Sequence, residues 1–369
     1  MTTTLFQFLH RCAADALEVQ ADDGSLPGGC NGPWADPETP VRNTGHWLIV
    51  FLRAFENSGD PRFRAAAHKA AAYLLSKQSR PMGRNFLHRT NPERDFCNGL
   101  IGPAWSIEAL VAAGQALDLE EAFRASEEVF LLHPFLAEHG VWRGVNVDGS
   151  YGPIDPTFNH QLWFAASGSL VADATGNAKV RERVRGFMDH LDWSFQVRKN
   201  GSVRHGMRPR SLPKRLYEEF RILRQGRGYW KRQVPKETGY HAFNLMGFAL
   251  LQTDTRDHPF WKTPGFAMAM QLIERDEYRE ELETSPYGYA YNPPGFEVPF
   301  AIQSFPDLVS EGTRAPTNLS HWIDRQLRKT WSIETRRMDR NTPDPTTLTA
   351  RIYEACRLPD LAIGDLEDG

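Results

Sequence analysis

Cysteine is scarce in this chain. Cys12, Cys30, Cys97 and Cys356 are scattered over 369 positions, with no CxxC spacing and no histidine at zinc-finger distance. That excludes a disulfide framework and a structural zinc site, and it leaves buried free thiols as the expected state. Long apolar runs are missing too, since none approaches the roughly 20 residues that span a bilayer. The first twenty residues have no basic stretch leading into an apolar core and a small-residue cleavage site, and Arg11 and Asp15 interrupt their apolar face. They read as an amphipathic helix of a soluble, cytoplasmic protein without membrane contact.

A large excess of one charge is also lacking, the formal net charge being only -3. That balance conceals an asymmetry. Between Gln196 and Lys236 there are thirteen Lys or Arg against two acids, Glu218 and Glu219, a local +11 that leaves -14 elsewhere. A field of one sign on one segment attracts anionic ligands: polyuronate, phosphate or nucleic acid.

What the chain does have is ample core material, 41% hydrophobic and 11% aromatic residues, enough for one large domain spanning 1–369. Helix–turn–helix punctuation recurs along it, with Asp60 before Pro61, Asp118 after Leu117 and Asn177 after Gly176. These capping positions are 58 and 59 residues apart, and a further turn follows at Thr253 and Asp254. A repeat of about 58 residues fits about six times into the chain. Segments 46–55, 63–75, 96–117, 120–132, 157–175, 178–195, 239–251 and 319–330 carry helical periodicity, whereas strand signals are confined to loops. The expected fold is all-α, an α/α toroid of about six helical hairpins. Its longer connections, 22–42, 79–95, 133–156, 197–236 and 279–310, should gather at one mouth and hold the site. Segment 197–236 is then a basic insertion in the single domain.

The most informative local motif is Asn159–His160, which opens the otherwise apolar run Phe158 to Ala166. An amide and an imidazole side by side suit a carboxylate, because both donate hydrogen bonds and withdraw its charge. The run Asn159-His160-Gln161-Leu162-Trp163-Phe164-Ala165 resembles the Asn-His-x-x-Trp-x-Ala signature of the helical-toroid alginate lyases. Those enzymes cleave uronic acid polymers by β-elimination. A second run, Lys236 to Phe243, resembles the same family, whose Arg and Tyr-His-Asn-Tyr it matches at Lys236, Tyr240 and His241. The family's catalytic Tyr falls on Phe243, which cannot move a proton. Tyr240 lies three residues earlier on the same helical face and is the substitute the resemblance leaves. To act as a base it needs cationic neighbours such as Lys236 or Arg204.

Other groups extend the list. Arg204, His205 and Arg208 in the basic segment are suited to further carboxylates, and Trp230 beside Tyr229 can stack on sugar rings or on bases. The run Gly32 to Trp47 looks like a segment of toroid proteins encoded in archaeal glycosylation gene clusters, and within it Arg42 and His46 can bind an acidic sugar. Tyr287, Tyr289 and Tyr291 alternate as in a short strand, followed by Glu297 as a possible acid.

The leading expectation is a lyase acting on a uronic-acid-containing poly- or oligosaccharide. Asn159 and His160 neutralise the carboxylate, and Tyr240 or one of the 287–291 tyrosines takes the C5 proton. The mechanism demands no metal and no cofactor. One alternative is a glycoside hydrolase using two carboxylates from Asp36, Asp95, Asp155 and Glu297. Another is a non-catalytic binder of anionic glycan or nucleic acid, which the basic segment favours but the furnished mouth does not.

Overall fold

Helices that must be buried on all sides differ in composition from those that cover them, and the chain alternates the two kinds. The computed structural model describes residues 3–207 and 212–364, with the backbone alone for 212–219, 221–223 and 227. It begins with α1 (Leu5–Val19), whose N-cap Thr4 and Gln7 form a reciprocal capping box. There follow α2 (Val41–Ser58), α3 (Pro61–Leu75), α4 (Ile101–Leu117) and α5 (Glu120–Leu132). Next come α6 (Phe158–Thr175), α7 (Ala178–Met188), the short α8 (Leu191–Ser194) and the long α9 (Leu212–Leu251). The chain continues through α10 (Pro264–Gln271), α11 (Asp276–Thr284), α12 (Pro294–Ser304), α13 (Glu311–Arg314), α14 (Pro316–Thr330) and α15 (Pro345–Ala350). A 3-10 segment, Arg351–Arg357, follows α15.

Contacts close these elements into a ring. Helix α2 packs on α4, α4 on α6, α6 on α9, α9 on α12, α12 on the 3-10 segment, and that segment back on α2. The inner helices α4 and α6 are buried almost around their whole circumference, whereas the outer α7 buries only Val180, Val184, Phe187 and Met188. Small residues let the inner helices approach. A Cβ on Gly247 of α9 would lie 3.2 Å from the Leu162 side chain of α6, tighter than packed carbons accept without a shift. The fold is an α/α toroid, as expected. None of the helices among the described residues is long and apolar enough to cross a membrane.

Two of the expected caps hold their helices: Asp60 accepts from Arg62 N and Asn177 from Lys179 N and Val180 N. Asp118 instead ends α4 in the left-handed conformation, with φ 57°. Segment 197–236 is not loop throughout, because α9 starts at Leu212. Gly226, with φ 49° and ψ -131°, interrupts that run with a kink, and Pro235 lies within the part that follows. Tyr287, Tyr289 and Tyr291 do not form a strand. Gly288 N bonds to Ser285 O and Tyr291 N to Gly288 O, so successive turns send the three rings different ways. Among the described residues the strands are short, the largest sheet being Phe135–Leu136, Val141–Val145 and Tyr151–Ile154 in antiparallel order.

Candidate active site

The ring gathers the N-terminal ends of its inner helices around one cavity of about 240 Å³. Arg42 comes from the first turn of α2, Ile101 and Trp105 from the start of α4, and Asn159 and His160 from the first turn of α6. Tyr291 and Asn292 immediately precede α12, and Arg351 opens the 3-10 segment. Helix N-termini carry partial positive charge, so this convergence favours an anion before any side chain is counted. The side chains reinforce it. Arg42, Arg89, Arg94, Lys236 and Arg351 line the cavity against a single carboxylate, Asp36.

Most of these cations are anchored from behind. Arg42 is fully buried, paired with Glu38 at 3.2 Å, hydrogen-bonded to Asn31 Oδ1 and laid over the Trp105 ring at 3.8 Å. Arg89 pairs with Asp36 at 3.0 Å and also donates to Asn98 Oδ1. Arg351 donates to Glu354 at 2.6 Å, Glu297 at 2.8 Å and Asn292 Oδ1 at 2.6 Å. Lys236 lies over the Trp34 ring at 4.6 Å, and burial lowers its pKa to about 8. Several polar atoms of the wall remain buried without a partner among the described residues: Arg42 Nη2, Asn98 Nδ2, Asn159 Oδ1 and His205 Nδ1.

Among the lining groups, His160 has the geometry that suits proton transfer. Its Nδ1 donates to Asp155 Oδ2 at 2.7 Å, which leaves Nε2 as the free ring nitrogen. Burial pushes the Asp155 carboxyl up, but the imidazole beside it and hydrogen bonds from Thr157 N and Leu100 N bring it down to about 2. An ionised Asp155 fixes the tautomer that exposes the Nε2 lone pair. Gly99 passes directly over this pair with φ 58°. A Cβ there would lie 2.5 Å from Asp155 Oδ2 and 3.1 Å from His160 Nδ1, so glycine is required both for conformation and for space. A second imidazole, His205, also lines the cavity. Burial, then Lys236 and His160, hold its pKa well below the usual histidine value, which keeps it neutral.

The other expected site residues divide. Tyr240 lines the cavity, and its hydroxyl accepts from Trp34 Nε1 at 3.2 Å. Burial and the neighbouring Tyr291 raise its pKa well above the ordinary phenol value, the reverse of what a phenolate base requires. Phe243 lines the wall too, stacked on Trp163 at 4.5 Å. Tyr291 donates to Asn31 Oδ1 at 2.9 Å, and Tyr287 stands behind Tyr240 at 5.7 Å. Tyr289 is turned away beneath Lys329.

Four further candidates are outside the cavity wall. Arg204 donates to Gln196 Oε1 at 2.7 Å. Trp230 is exposed under Arg198. His241 is buried against Ala269 O at 3.0 Å, and burial lowers its pKa to about 4. Glu297 is fully buried behind Arg351. His46 supports the wall from behind, accepting from Arg42 Nε at 3.3 Å and stacked on Tyr353 at 4.1 Å. Arg208 lies outside the described residues. Sequence reasoning overlooked Trp34, Arg89, Arg94, Asn98, Trp105 and Arg351. For Arg351 a signal existed: an Arg and a Glu three apart in the apolar run Ala350 to Cys356 must pair with something buried.

No family model matches the chain. It is similar over nearly its whole length to archaeal glycosylation protein Q of Haloferax volcanii, at 41% identity covering 98% of this chain and 99% of that one. Among solved structures it resembles a D-mannose isomerase, with a TM-score of 0.64, 14% identity and 95% and 96% of the two chains covered. It also resembles the cellobiose 2-epimerase of Spirochaeta thermophila, with a TM-score of 0.64, 15% identity and 96% and 95% covered. At such identities these two structures speak for the fold alone, whereas the whole-length similarity to the Haloferax protein defines kinship: the chain belongs to the archaeal glycosylation protein Q family.

Proposed function

We propose that this protein is a carbohydrate-active enzyme of glycan processing that removes the C5 proton of a uronic acid residue, with β-elimination as the outcome. The observation that carries the reading is the Asp155–His160 pair, with its free Nε2, at the edge of a cavity with five cations and one carboxylate. The cations and Asn159 hold the uronate carboxylate and draw off its charge, which makes the adjacent C5 proton acidic. His160 Nε2 takes that proton. The C5–H electron pair forms the C4=C5 double bond, the C4–O bond breaks, and the leaving oxygen receives a proton from the Tyr240 hydroxyl, which its raised pKa keeps protonated. This exchanges the role first expected of Tyr240, from base to acid.

Hydrolysis is less well supported. It calls for two carboxylates flanking the bond, whereas Asp36 is engaged by Arg89, Asp95 by Gly99 N and Arg89, Asp155 by His160, and Glu297 is sealed behind Arg351. One observation favours a second reading: two imidazoles, His160 and His205, line the same cavity. Removal of the C5 proton by one and its return by the other would invert C5 without breaking the glycosidic bond. A single incubation of uronic acid glycosides in deuterated water separates the cases. Elimination raises ultraviolet absorbance from the double bond conjugated to the carboxylate, and epimerisation places deuterium at C5 with no chromophore. New reducing ends with neither signal would refute both.

A further inference from the structure

His160 forms part of the wall of two cavities. The second, of about 310 Å³, is lined by Asp155 as well as His160 and shares Arg89 and Arg94 with the first. Its outer side is the hairpin of Val141–Val145 and Tyr151–Ile154, and two glycines of that hairpin, Gly144 and Gly152, open it. The two compartments differ in charge. The first has five cations and one carboxylate, whereas the second balances Arg89 and Arg94 with Asp95 and Asp155. Its remaining surface is Pro153, Ile154, Pro156 and Val145, with the amide of Asn146. Apolar side chains with a few polar groups suit the faces and hydroxyls of an uncharged sugar, and no surplus cation remains for a second carboxylate.

We infer that the second cavity is a binding subsite for a neutral sugar attached at O4 of the uronate, so that the substrate is a disaccharide unit or longer with an uncharged residue on the leaving side. This rests on the elimination reading, because it makes the sugar in the second cavity the leaving group. The placement of His160 fits that role: a bond joining sugars in the two compartments passes beside the imidazole that lines both.

The glycines make the inference testable without disturbing the dyad. Gly144 has a backbone conformation open to any residue, and a Cβ there would meet only Pro153 O, at 3.7 Å. Gly144→Leu therefore fills the second cavity and leaves His160 untouched. Asn146→Trp, at an exposed position of the hairpin, fills it from another side should the first variant fold poorly. Three probes suffice: a methyl hexuronoside methylated at O4, the same uronoside with a neutral hexose at O4, and one with a second uronate at O4. Calorimetric binding and the absorbance of the unsaturated product are read on each.

The neutral disaccharide should bind wild type at least about tenfold more tightly than the methylated probe, an advantage of the size that a filled or empty pocket produces. That advantage should vanish in Gly144→Leu and Asn146→Trp while binding of the methylated probe stays unchanged. Equal binding of the two probes by wild type, or a diuronate bound better than the neutral disaccharide, would overturn the inference. Binding in the expected pattern with no absorbance change would leave the subsite standing and remove the elimination reading.

Discussion

Asp155 and Glu297 each grip a basic group of the cavity wall, one at the mouth and one beneath the floor, yet their surroundings drive them in opposite directions. Asp155 is reached by two backbone N–H groups as well as His160, and its carboxyl is held down to about 2. Glu297 is fully buried with no backbone donor; burial first, and then the facing carboxylate of Glu354, raise its pKa well above the ordinary value. Desolvation acts on both, and the neighbouring charge decides the outcome, His160 beside Asp155 and Glu354 beside Glu297, with the hydrogen bonds to Asp155 adding to it. The mouth therefore keeps a permanent negative charge that orients an imidazole, whereas the floor keeps two acids around Arg351 as support. A carboxyl group orients a cavity-lining imidazole in one place and braces a buried guanidinium in the other.

The sharpest way to break this contrast is at the floor. Arg351→Met leaves Glu297 and Glu354 facing each other without their cation, and removing one partner of a buried ionic cluster costs about 3–5 kcal/mol. Thermal unfolding should show a fall of many degrees. An unchanged melting temperature would mean that the floor cluster is not structural. At the mouth the outcome reverses. His160→Ala should lose about 10³-fold in kcat, the scale of a positioned general base, with a smaller fall in melting temperature than Arg351→Met because Asp155 keeps its hydrogen bonds from Thr157 N and Leu100 N. Asp155→Asn should lose about 10²-fold, because an amide can hold the ring in the tautomer that blocks Nε2. If Asp155→Asn were fully active, His160 would need no orienting partner and the contrast would collapse.

Lys236 sharpens the comparison through pH. Its pKa of about 8 is below the ordinary lysine value, so its charge is present at neutral pH and disappears as pH rises through 8. Binding of an anionic sugar should weaken with it: kcat/KM is expected to fall above pH 8, by about tenfold at the plateau for loss of one binding charge. Lys236→Met should show the lower value throughout with the alkaline limb gone. A limb that survives in this variant would belong to another group.

The ring was legible because its signals are local. Caps such as Asp60 and Asn177 and the apolar runs of α4 and α6 mark helices without reference to anything distant. Asn159 and His160 were legible for the same reason, as a polar pair opening an apolar helix. Arg42, His205, Lys236, Tyr240 and Tyr291 were picked out as well, but Arg89, Arg94, Trp105 and Arg351 were not, since they meet Asn159 only when the ring closes and no spacing encodes that. Tyr240 was found by motif, but its pKa depends on how much water the ring excludes, which only packing decides. The helical part of segment 197–236 was missed because the whole segment read as a long connection, and Gly226 does interrupt the helix there.

The smallest expected effect is the most discriminating. Burial raises the pKa of both floor acids, the facing Glu354 carboxylate adding to it at Glu297, and the protonated form of Glu297 is nearly isosteric with glutamine. Glu297→Gln keeps an acceptor for Arg351 Nη2, which Glu297 Oε1 meets at 2.8 Å in the native protein. If Glu297 holds a proton, the variant should change stability by less than about 1 kcal/mol, since an amide oxygen replaces a protonated carboxyl as acceptor from the guanidinium, and it should leave kcat within about twofold. A catalytic acid at this position would behave quite differently, because replacement by an amide would remove the proton that the reaction consumes. Glu297→Ala provides the calibration: it opens a void and leaves one Arg351 donor unmet, so it must be clearly less stable than Glu297→Gln if the glutamine succeeds by imitating the neutral acid.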